Sequence, residues 1–443
     1  MNIGFISLGC AKNLVDSEEI ISFLKRSGAT IVPDPKNADL IFINTCAFIE
    51  AAKKEAIDTI LEMAKYGKPL VVLGCFAQRY GKAVASEMPE VKCWIPFGTY
   101  GTIAQQLNAA FPNLDLSGGI DATKREFAYP GPEAYLRIAE GCNDFCTFCA
   151  IPYIRGRFHS VPLPLLERQM DDMEKGGIRS LTLIAQDTSM YGRDIGTSLT
   201  ALVQKCLQHP RFNWVKLMYL YPDEIPDSLI EFYADSEHSL TPYFDLPLQH
   251  ASDHILKRMN RRGREQDYVE LLDKVRTKRP DIVLRTTMMV GFPGETDEDF
   301  EELLRFVEKE KFDHLGAFIY NREEGTPAYS FKDQVPAKIK KERLDALMKL
   351  QAGISYSLNK ARIGRKYKVL ITGYDVGNLA YKGISDLFAP DDIDGKLYVF
   401  SDDPLSVGDI VEAEIVNASV YDLDAKVVRV LEKAERPTTD HIG

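Results

Sequence analysis

Short apolar runs rich in β-branched residues alternate with longer amphipathic stretches along most of this chain, and that alternation restricts the folds it can adopt. In the first hundred residues the apolar runs are NIGFISL, DLIFINT and PLVVLG. Strands buried on both faces of a parallel sheet are apolar throughout in this way. The stretches DSEEIISFLKRSG and AAKKEAIDTILEMAKYG between them have helical spacing. The N-terminal part is therefore predicted to be an open α/β sheet domain.

The alternation restarts at Tyr135 with longer units. Six apolar runs follow there, YLRIAEG, SLTLIAQD, WVKLMYLY, YFDLPLQ, IVLRTTMMVGF and HLGAFIY. Helical segments such as PLPLLERQMDDMEKGG and TDEDFEELLRFVEKEK separate them, and a long charged helix at 336–364 follows. Six such units predict a partial, TIM-like β/α barrel whose functional site lies at the C-terminal ends of its strands.

Beyond Arg365 the pattern contains strands alone. The runs YKVLITGY, LAYKGISDLFA, KLYVFSD, IVEAEIVNASVY and KVVRVL predict a small all-β barrel. Residues 367–433 contain six Lys/Arg against thirteen Asp/Glu, so this small domain has a net charge of −7. Such acidity occurs on merely solvated surfaces, but it also suits contact with a basic partner.

These changes of pattern divide the 443 residues into three domains. The stretch NLDLSGGIDATKREFAYPGPE carries turn residues and no clear period, as linkers do. The predicted limits are residues 1–117 for the N-terminal domain, 118–134 for a linker, 135–364 for the β/α barrel, 365–433 for the β domain and 434–443 for a tail.

The overall composition favours a cytoplasmic protein without a membrane span. The sequence has no apolar run of about eighteen residues, and MNIGFISLGC lacks the features of a signal peptide. Thiols stay reduced in the cytoplasm, so the eight cysteines are predicted to be metal ligands or catalytic groups rather than disulfides. The net charge of −11 argues against a DNA-binding or bulk nucleic-acid-binding protein and suits a basic partner.

Three cysteines lie close together in EGCNDFCTFCAIP, just after the first barrel strand: Cys142, Cys146 and Cys149. A structural zinc site that takes a fourth ligand from elsewhere is one reading, although such sites generally use paired C-x2-C units. The favoured reading is an iron–sulfur cluster held by three thiolates, with one iron left open for a small molecule.

A second set of cysteines is spread along the N-terminal domain. Cys10, Cys46 and Cys75 each follow a predicted parallel strand. Since the C-terminal ends of parallel strands share one edge of a sheet, the three thiols are expected to converge. Burial as small apolar residues would explain any one of them, but the shared position favours a second three-cysteine cluster.

The remaining cysteines and three tyrosines are assigned to packing, and two histidines to a strand-end polar pair and a helix-cap region. Cys93 and Cys206 lack the strand-end context, and His250 and His254 form no zinc motif. The aromatic residues Tyr153, Tyr191 and Tyr219 are predicted to pack in the barrel rather than to line its site.

The spacing of Cys142, Cys146 and Cys149, with Phe148 just before the last of them, resembles that of the radical S-adenosylmethionine (SAM) superfamily. The resemblance implies a 4Fe–4S cluster whose open iron binds the amino and carboxylate groups of SAM. It also implies reductive cleavage of SAM to a 5′-deoxyadenosyl radical that abstracts a substrate hydrogen.

Two further segments lie where this superfamily contacts SAM. AQDTS contains Gln186 and Asp187, for which capping of a helix by Asp187 is an equally good reading. GFPGE contains Gly291 and Gly294, which would let a ligand approach the backbone but also suit an ordinary strand-to-helix turn.

Taken over its whole length, the chain resembles the methylthiotransferases. The resemblance implies an N-terminal methylthiotransferase domain, a radical SAM core and a C-terminal TRAM domain. It implies two 4Fe–4S clusters, a radical-generating one on Cys142, Cys146 and Cys149 and an auxiliary, sulfur-carrying one on Cys10, Cys46 and Cys75. SAM would then serve as methyl donor and as radical source, and no catalytic residue is expected beyond the cluster ligands. A low-potential electron donor and a sulfur donor are implied partners.

The residues of several short motifs distinguish two branches of this family. SLGCAKNLVDSE, AQDTSMYG, YPDEIP and DLPLQHAS resemble the branch that modifies the β-carbon of an aspartate in small-subunit ribosomal protein twelve, a basic protein. The tRNA adenosine branch typically has a YGCQMN-like first motif and QNVNSYG, both absent here. A tRNA-binding module should also be basic, because neutralising phosphate drives that binding. The ribosomal protein is therefore the predicted substrate, with tRNA adenosine 2-methylthiolation as the alternative and a non-catalytic cluster protein as a third possibility.

Overall fold

The computed structural model describes residues 1–112, 114, 116–127, 131–235 and 238–434 of the chain. Part of the predicted linker and all of the predicted tail except residue 434 lie outside these residues.

A five-stranded parallel sheet with helices on both faces forms the N-terminal domain. Its strands are β1 (Asn2–Ser7), β2 (Thr30–Val32), β3 (Leu40–Thr45), β4 (Leu70–Gly74) and β5 (Val91–Pro96). Its helices are α1 (Ala11–Arg26), α2 (Glu50–Ala64), α3 (Cys75–Val84) and α4 (Ile103–Ala110). Every residue of β3 and β4 is buried, as the unbroken apolar runs predicted.

The order of the strands decides where this sheet can bind a ligand. The order is β2-β1-β3-β4-β5, so the chain leaves β1 in one direction and resumes at β3 on its other side. Such a reversal opens a crevice beyond the C-terminal ends of the two central strands. Cys10 follows β1 and Cys46 follows β3, which places both at this crevice.

The central domain is a six-stranded, open β/α barrel. Its strands are β6 (Glu133–Arg137), β7 (Ala139–Glu140), β8 (His159–Ser160), β9 (Ser180–Ile184), β10 (Trp214–Leu217), β11 (Leu240–Gln249), β12 (Val283–Val290) and β13 (His314–Ile319). Its helices are α5 (Ile151–Ile154), α6 (Leu163–Lys175), α7 (Leu199–Cys206), α8 (Asp227–Ala234), α9 (Asp253–Arg258), α10 (Glu265–Lys278), α11 (Asp297–Glu310) and α12 (Ala337–Lys360). The parallel sheet has the order β13-β12-β11-β10-β9-β6, while β7 and β8 form a separate hairpin-like pair. The predicted partial barrel is confirmed.

A closed five-stranded barrel forms the C-terminal domain. Its strands are β14 (Lys366–Asp375), β15 (Ala380–Ile384), β16 (Leu397–Phe400), β17 (Ile410–Ala418) and β18 (Leu423–Glu432). They close in the order β14-β15-β16-β18-β17. The fold class predicted from the sequence is thus confirmed for all three domains.

The loop between β15 and β16 packs into the open side of the central barrel. Leu387 and Phe388 join an apolar cluster with inward-facing residues of the central sheet. The ammonium of Lys216 donates to the carbonyl of Ser385 at 2.8 Å, and His314 Nε2 contacts the carbonyl oxygen of Leu387 at 2.7 Å. This loop covers the barrel near the N-terminal ends of β12 and β13 and leaves the C-terminal ends available for the site.

Within the described residues, no helix combines the length and apolarity needed to cross a membrane.

Candidate cluster and SAM site

The C-terminal strand ends of the N-terminal domain and of the central barrel face each other across one cavity. Its volume is about 330 Å³, and all six cysteines of the two predicted sets line it: Cys10, Cys46, Cys75, Cys142, Cys146 and Cys149. The sequence predicts each set separately, but only the structure shows that they share a cavity.

The N-terminal set converges at the crevice of the five-stranded sheet. Cys10 precedes the first residue of α1, and Cys75 is the first residue of α3. Cys46 and Cys75 are buried, at 8% and 4% exposure, whereas Cys10 is exposed. Two thiols thus line the floor of the site and one lies at its open edge.

Gly9 allows the loop of Cys10 to approach that of Cys46. Its φ of +94° suits glycine, and a Cβ there would lie 2.7 Å from Cys46 Cβ and 2.9 Å from Asn13 Nδ2. Gly74, before Cys75, has φ +92°, and its Cβ would lie 2.5 Å from the carbonyl oxygen of Thr45. A glycine directly before a strand-end cysteine is therefore a sequence signal for this site.

Replacing Gly9 by alanine should separate Cys10 from Cys46 and prevent the N-terminal set from holding a cluster. We expect the anaerobically reconstituted G9A protein to bind about half the iron and sulfide of the wild-type protein, if each set holds one cluster. The matched control is Gly28→Ala, because Gly28 has φ +86° but open space around its Cβ position. Wild-type iron content in G9A would contradict the role assigned to Gly9.

Asn13 links the loops of the N-terminal set to the central barrel. Its Nδ2 donates to the carbonyls of Leu8 at 3.1 Å and Thr45 at 3.0 Å. Its Oδ1 accepts a hydrogen bond from Arg155 Nη2 at 2.6 Å and lies 3.6 Å from Cys75 Sγ. The sequence pattern did not single out Asn13, since Thr45, Cys75 and Arg155 are far from it along the chain.

The second set lies in the loop after β7, and this loop is fixed by the segment after α9. The amide of Thr147 donates to the carbonyl of Met259, and its hydroxyl donates to that of Arg258, both at 2.9 Å. Asn260 Nδ2 donates to the carbonyls of Asp144 at 3.2 Å and Phe145 at 3.1 Å. The spacing of Cys142, Cys146 and Cys149 is therefore held by tertiary contacts rather than by a helix.

Burial favours the protonated form of five of the six cysteines that line the cavity. It raises the pKa of Cys75 and of Cys149 to about 12, and it also raises the pKa values of Cys46, Cys142 and Cys146. A metal that binds these thiols must displace their protons, since thiolates are the binding form.

Among the described residues, no group of three His, Cys, Asp or Glu side chains is arranged to hold one metal ion. In a 4Fe–4S cluster each thiolate binds a different iron, so its ligands lie farther apart than those of one zinc ion. Soft thiols are the donors that such a cluster takes, and four of the six are buried: Cys46, Cys75, Cys142 and Cys146.

The wall between the two sets has the character of a SAM site. Phe148 and Leu220 supply apolar surface, and Gln186 and Gln249 line the same cavity. In the described part of the chain, the side-chain oxygens of Gln186 and Gln249 are buried without a hydrogen-bond partner. Buried acceptors in this state call for a ligand donor, such as the amino or hydroxyl groups of SAM.

The predicted SAM contacts divide into two groups. Phe148 and Gln186 line the cavity, whereas Asp187, Gly291 and Gly294 lie outside its lining. Asp187 does not cap a helix, because α7 begins at Leu199 and the carboxylate accepts the amide of Ser189 at 2.9 Å within a turn. The role of these three residues in SAM binding stays a prediction.

The two glycines of GFPGE form a tight turn against their own chain. Gly291 and Gly294 have φ values of +71° and +85°. A Cβ on Gly294 would lie 2.7 Å from Arg258 Nε, and one on Gly291 would overlap the side chain of Lys340. The turn therefore excludes larger residues for reasons of packing, whatever else it binds.

The packing prediction for the three tyrosines is right for Tyr191, wrong for Tyr153 and right in part for Tyr219, which packs against an apolar cluster of the barrel but also lines the cavity. Tyr191 is buried in the barrel core. Tyr153 is 57% exposed, because α5 presents it to solvent. Tyr219 lines the cavity, because it follows the C-terminal end of β10.

The two remaining cysteines have apolar surroundings, and the two histidines lie beside carboxylates. Cys93 and Cys206 are buried in apolar clusters. His250 is buried 3.5 Å from Glu295, and His254 contacts Asp299 at 3.0 Å.

Buried ion pairs join the N-terminal domain to the barrel beside the cavity. Arg155 contacts Asp16 of α1 at 2.8 Å and Glu140 of β7 at 2.9 Å. Arg137 of β6 pairs with Asp16 and, at 2.9 Å, with Glu19. These contacts fix the two halves of the cavity relative to each other, and the charged pattern of α1 alone gives no sign of them.

Family models match three successive parts of the chain. Residues 2–96 match the uncharacterized protein family UPF0004, residues 136–307 the radical SAM superfamily and residues 363–428 the TRAM domain.

Curated relatives match nearly the whole chain and carry the name ribosomal protein uS12 methylthiotransferase RimO. The protein from Clostridium kluyveri is 43% identical over 96% of this chain and 97% of its own length. That from Geotalea uraniireducens is 42% identical over 96% and 98%, and that from Aquifex aeolicus is 42% identical over 98% of both.

Solved structures with a similar fold are radical SAM enzymes. TsrM from Kitasatospora setae, a radical SAM methyltransferase with cobalamin and a 4Fe–4S cluster bound, has a TM-score of 0.54 and 13% identity and covers 74% of this chain and 76% of its own. The cobalamin-dependent radical enzyme OxsB has a TM-score of 0.50 and 12% identity and covers 79% of this chain and 56% of its own. At such identities the likeness concerns the fold alone.

Proposed function

This chain belongs to the RimO family of ribosomal protein uS12 methylthiotransferases, and we propose that it attaches a methylthio group to the β-carbon of an aspartate residue in uS12. It is a radical SAM enzyme of the transferase class. The observation that carries the proposal is the single cavity lined by both sets of three cysteines. Sulfur insertion at an unactivated carbon needs a radical source and a sulfur carrier within reach of the same substrate atom.

Each set of cysteines has its own role in this proposal. Cys142, Cys146 and Cys149 hold the cluster that SAM approaches, and Cys10, Cys46 and Cys75 hold the auxiliary cluster. When bound, the first supplies the electron for reductive cleavage of SAM, and the second supplies the sulfur that is transferred. The protein itself orients SAM through Gln186 and Gln249 and excludes water with apolar walls, which protects a reactive radical from side reactions.

A second, wider cavity supports a polypeptide substrate. It has a volume of about 620 Å³, lies between the Cys10 loop and the C-terminal barrel, and shares Cys10 with the cluster cavity. Its lining includes Asp391 and Asp392 beside Lys382 and Lys396. Together with the net charge of −7 on residues 367–433, this surface suits a basic ribosomal protein better than a phosphate backbone.

The proposal includes partners that act from solution. A low-potential donor must supply the electron, and a sulfur donor must restore the auxiliary cluster after each turnover. We place the reaction in the cytoplasm, where ribosomes and their proteins are found.

Deletion of the gene should remove the methylthio group from uS12 and leave the methylthio groups of tRNA unchanged. Mass spectrometry of ribosomal proteins, together with nucleoside analysis of the same cells, measures both. Complementation with the wild-type chain should restore the modification, whereas complementation with C75A should not. Unmodified tRNA adenosine alongside normal uS12 would instead favour the tRNA activity.

A further inference from the structure

Lys12 is a buried cation at the cavity wall beside Cys10. It is the second residue of α1, is 7% exposed and lines the cluster cavity. Its ammonium lies 3.1 Å from the centre of the Tyr219 ring. Within the described residues, no carboxylate lies within ion-pair distance of Lys12.

The other cations of the cavity already have partners. Arg155 is paired with Asp16 and Glu140. Arg261 donates to the carbonyl of Pro247 at 2.7 Å and stacks on the Tyr221 ring at 4.1 Å. Both arginines also lie over aromatic rings, so Lys12 differs from them because, among the described residues, its ammonium is seen over the Tyr219 ring without a carboxylate or carbonyl partner beside it.

Two carboxylates whose charge acts on Lys12 are each paired with an arginine. Asp245 pairs with Arg285 at 2.8 Å, and Glu140 pairs with Arg155 at 2.9 Å. A buried ammonium without a counter-charge is costly, and an aromatic face offsets only part of that cost. The Cys10 thiolate, when it holds a cluster, would supply part of the opposing charge, and a ligand carboxylate in the cavity would supply more.

The Tyr219 ring is held under Lys12 by an unusual backbone conformation. Tyr219 has φ +64°, a region that non-glycine residues seldom occupy. Its amide donates to Asp245 Oδ2 at 2.8 Å, and its carbonyl accepts the amide of Thr188 at 3.1 Å. Backbone strain of this kind concentrates at binding sites, so the pair of Lys12 and Tyr219 forms part of a built site.

We propose that Lys12 binds the side-chain carboxylate of the target aspartate and thereby presents its β-carbon between the two sets of cysteines. This inference rests on the proposed function and names the group that recognises the target residue. Cys10 borders both cavities, and Lys12, two residues further along the chain, lines the cluster cavity.

SAM also carries a carboxylate, but the position of Lys12 favours the target aspartate as its ligand. Lys12 lies on the N-terminal wall next to Cys10, while SAM is expected on the opposite wall at Cys142, Cys146 and Cys149. Both SAM and the target aspartate present a carboxylate. A comparison of aspartate and asparagine peptides in the presence of SAM distinguishes between them.

The test compares the binding of two peptides to the wild-type protein and to variants at Lys12. Peptides with the uS12 sequence around the target carry either aspartate or asparagine there, and fluorescence anisotropy measures their affinity for reconstituted protein with SAM but without reductant. Wild-type protein should prefer the aspartate peptide by at least about 30-fold, because the amide leaves Lys12 unpaired. In K12M this preference should fall below about 3-fold, and in K12R it should persist.

Controls exclude folding defects and a role in SAM binding. K25M removes an exposed lysine from the same helix, which pairs with Glu126, and should behave like wild type. Iron content and circular dichroism of K12M should match wild type, and K12Q serves as a second uncharged variant. An undiminished preference for aspartate in K12M or K12Q would overturn the inference, as would a loss of SAM affinity with the preference retained. If wild-type protein bound neither peptide, the proposed function itself would fail.

Discussion

Alanine at Cys142 should abolish SAM cleavage, whereas alanine at Cys75 should leave SAM cleavage in place and stop methylthio transfer. The two thiols lie in one cavity but on different domains, so each substitution removes a ligand from only one set. Production of 5′-deoxyadenosine and mass spectrometry of a uS12 peptide measure the two steps separately. In C142A both signals should fall to background, and in C75A only the second should.

The control for this experiment is C206A. Cys206 is buried in α7 beside the sulfur of Met170, outside the cavity lining, and should retain both activities. SAM cleavage by C142A would show that the loop after β7 does not hold the radical-generating cluster. Methylthio transfer by C75A would show that the N-terminal set is not the sulfur carrier.

Methionine at Arg155 should destabilise the protein by about 3–5 kcal/mol, the usual cost of removing one partner from a buried ion pair. Without the guanidinium, the buried Asp16 and Glu140 share a single remaining arginine, Arg137. Asn13 also loses the donor that connects the N-terminal loops to the barrel. Urea unfolding followed by circular dichroism measures the loss.

The matched control is R305M. Arg305 and Glu301 form an exposed pair along α11 at 3.7 Å, and its removal should cost less than about 0.5 kcal/mol. Equal stability of R155M and R305M would contradict the view that the buried ion pairs hold the two domains together.

The strands were predictable because burial leaves a direct mark on the sequence. The apolar runs at β1, β3 and β4 and the six runs of the central barrel are strands in the structure. The short β2 and the alternating β5, VKCWIP, were not predicted. Both are edge strands of the sheet, so one side of each is not covered and the apolar signal is weaker.

Residues that follow strands were predictable as a group, but the direction of each side chain was not. Gln186 and Asp187 are neighbours after β9, yet only Gln186 lines the cavity. Tyr219 follows β10 and turns into the site through a positive φ that no sequence pattern indicates. Lys12 likewise reads as an ordinary helical lysine until its surroundings are known.

By itself the sequence determined the three domains, the two sets of strand-end cysteines and the acidity of the C-terminal domain. Periodicity, spacing and charge are local properties, and each of these features depends on residues close together in the chain. The tertiary structure decided that the two sets face one cavity, that Arg155 bridges the domains there and that the Lys12 ammonium lies over the Tyr219 ring. Those facts depend on contacts between residues more than a hundred positions apart, which local patterns do not encode.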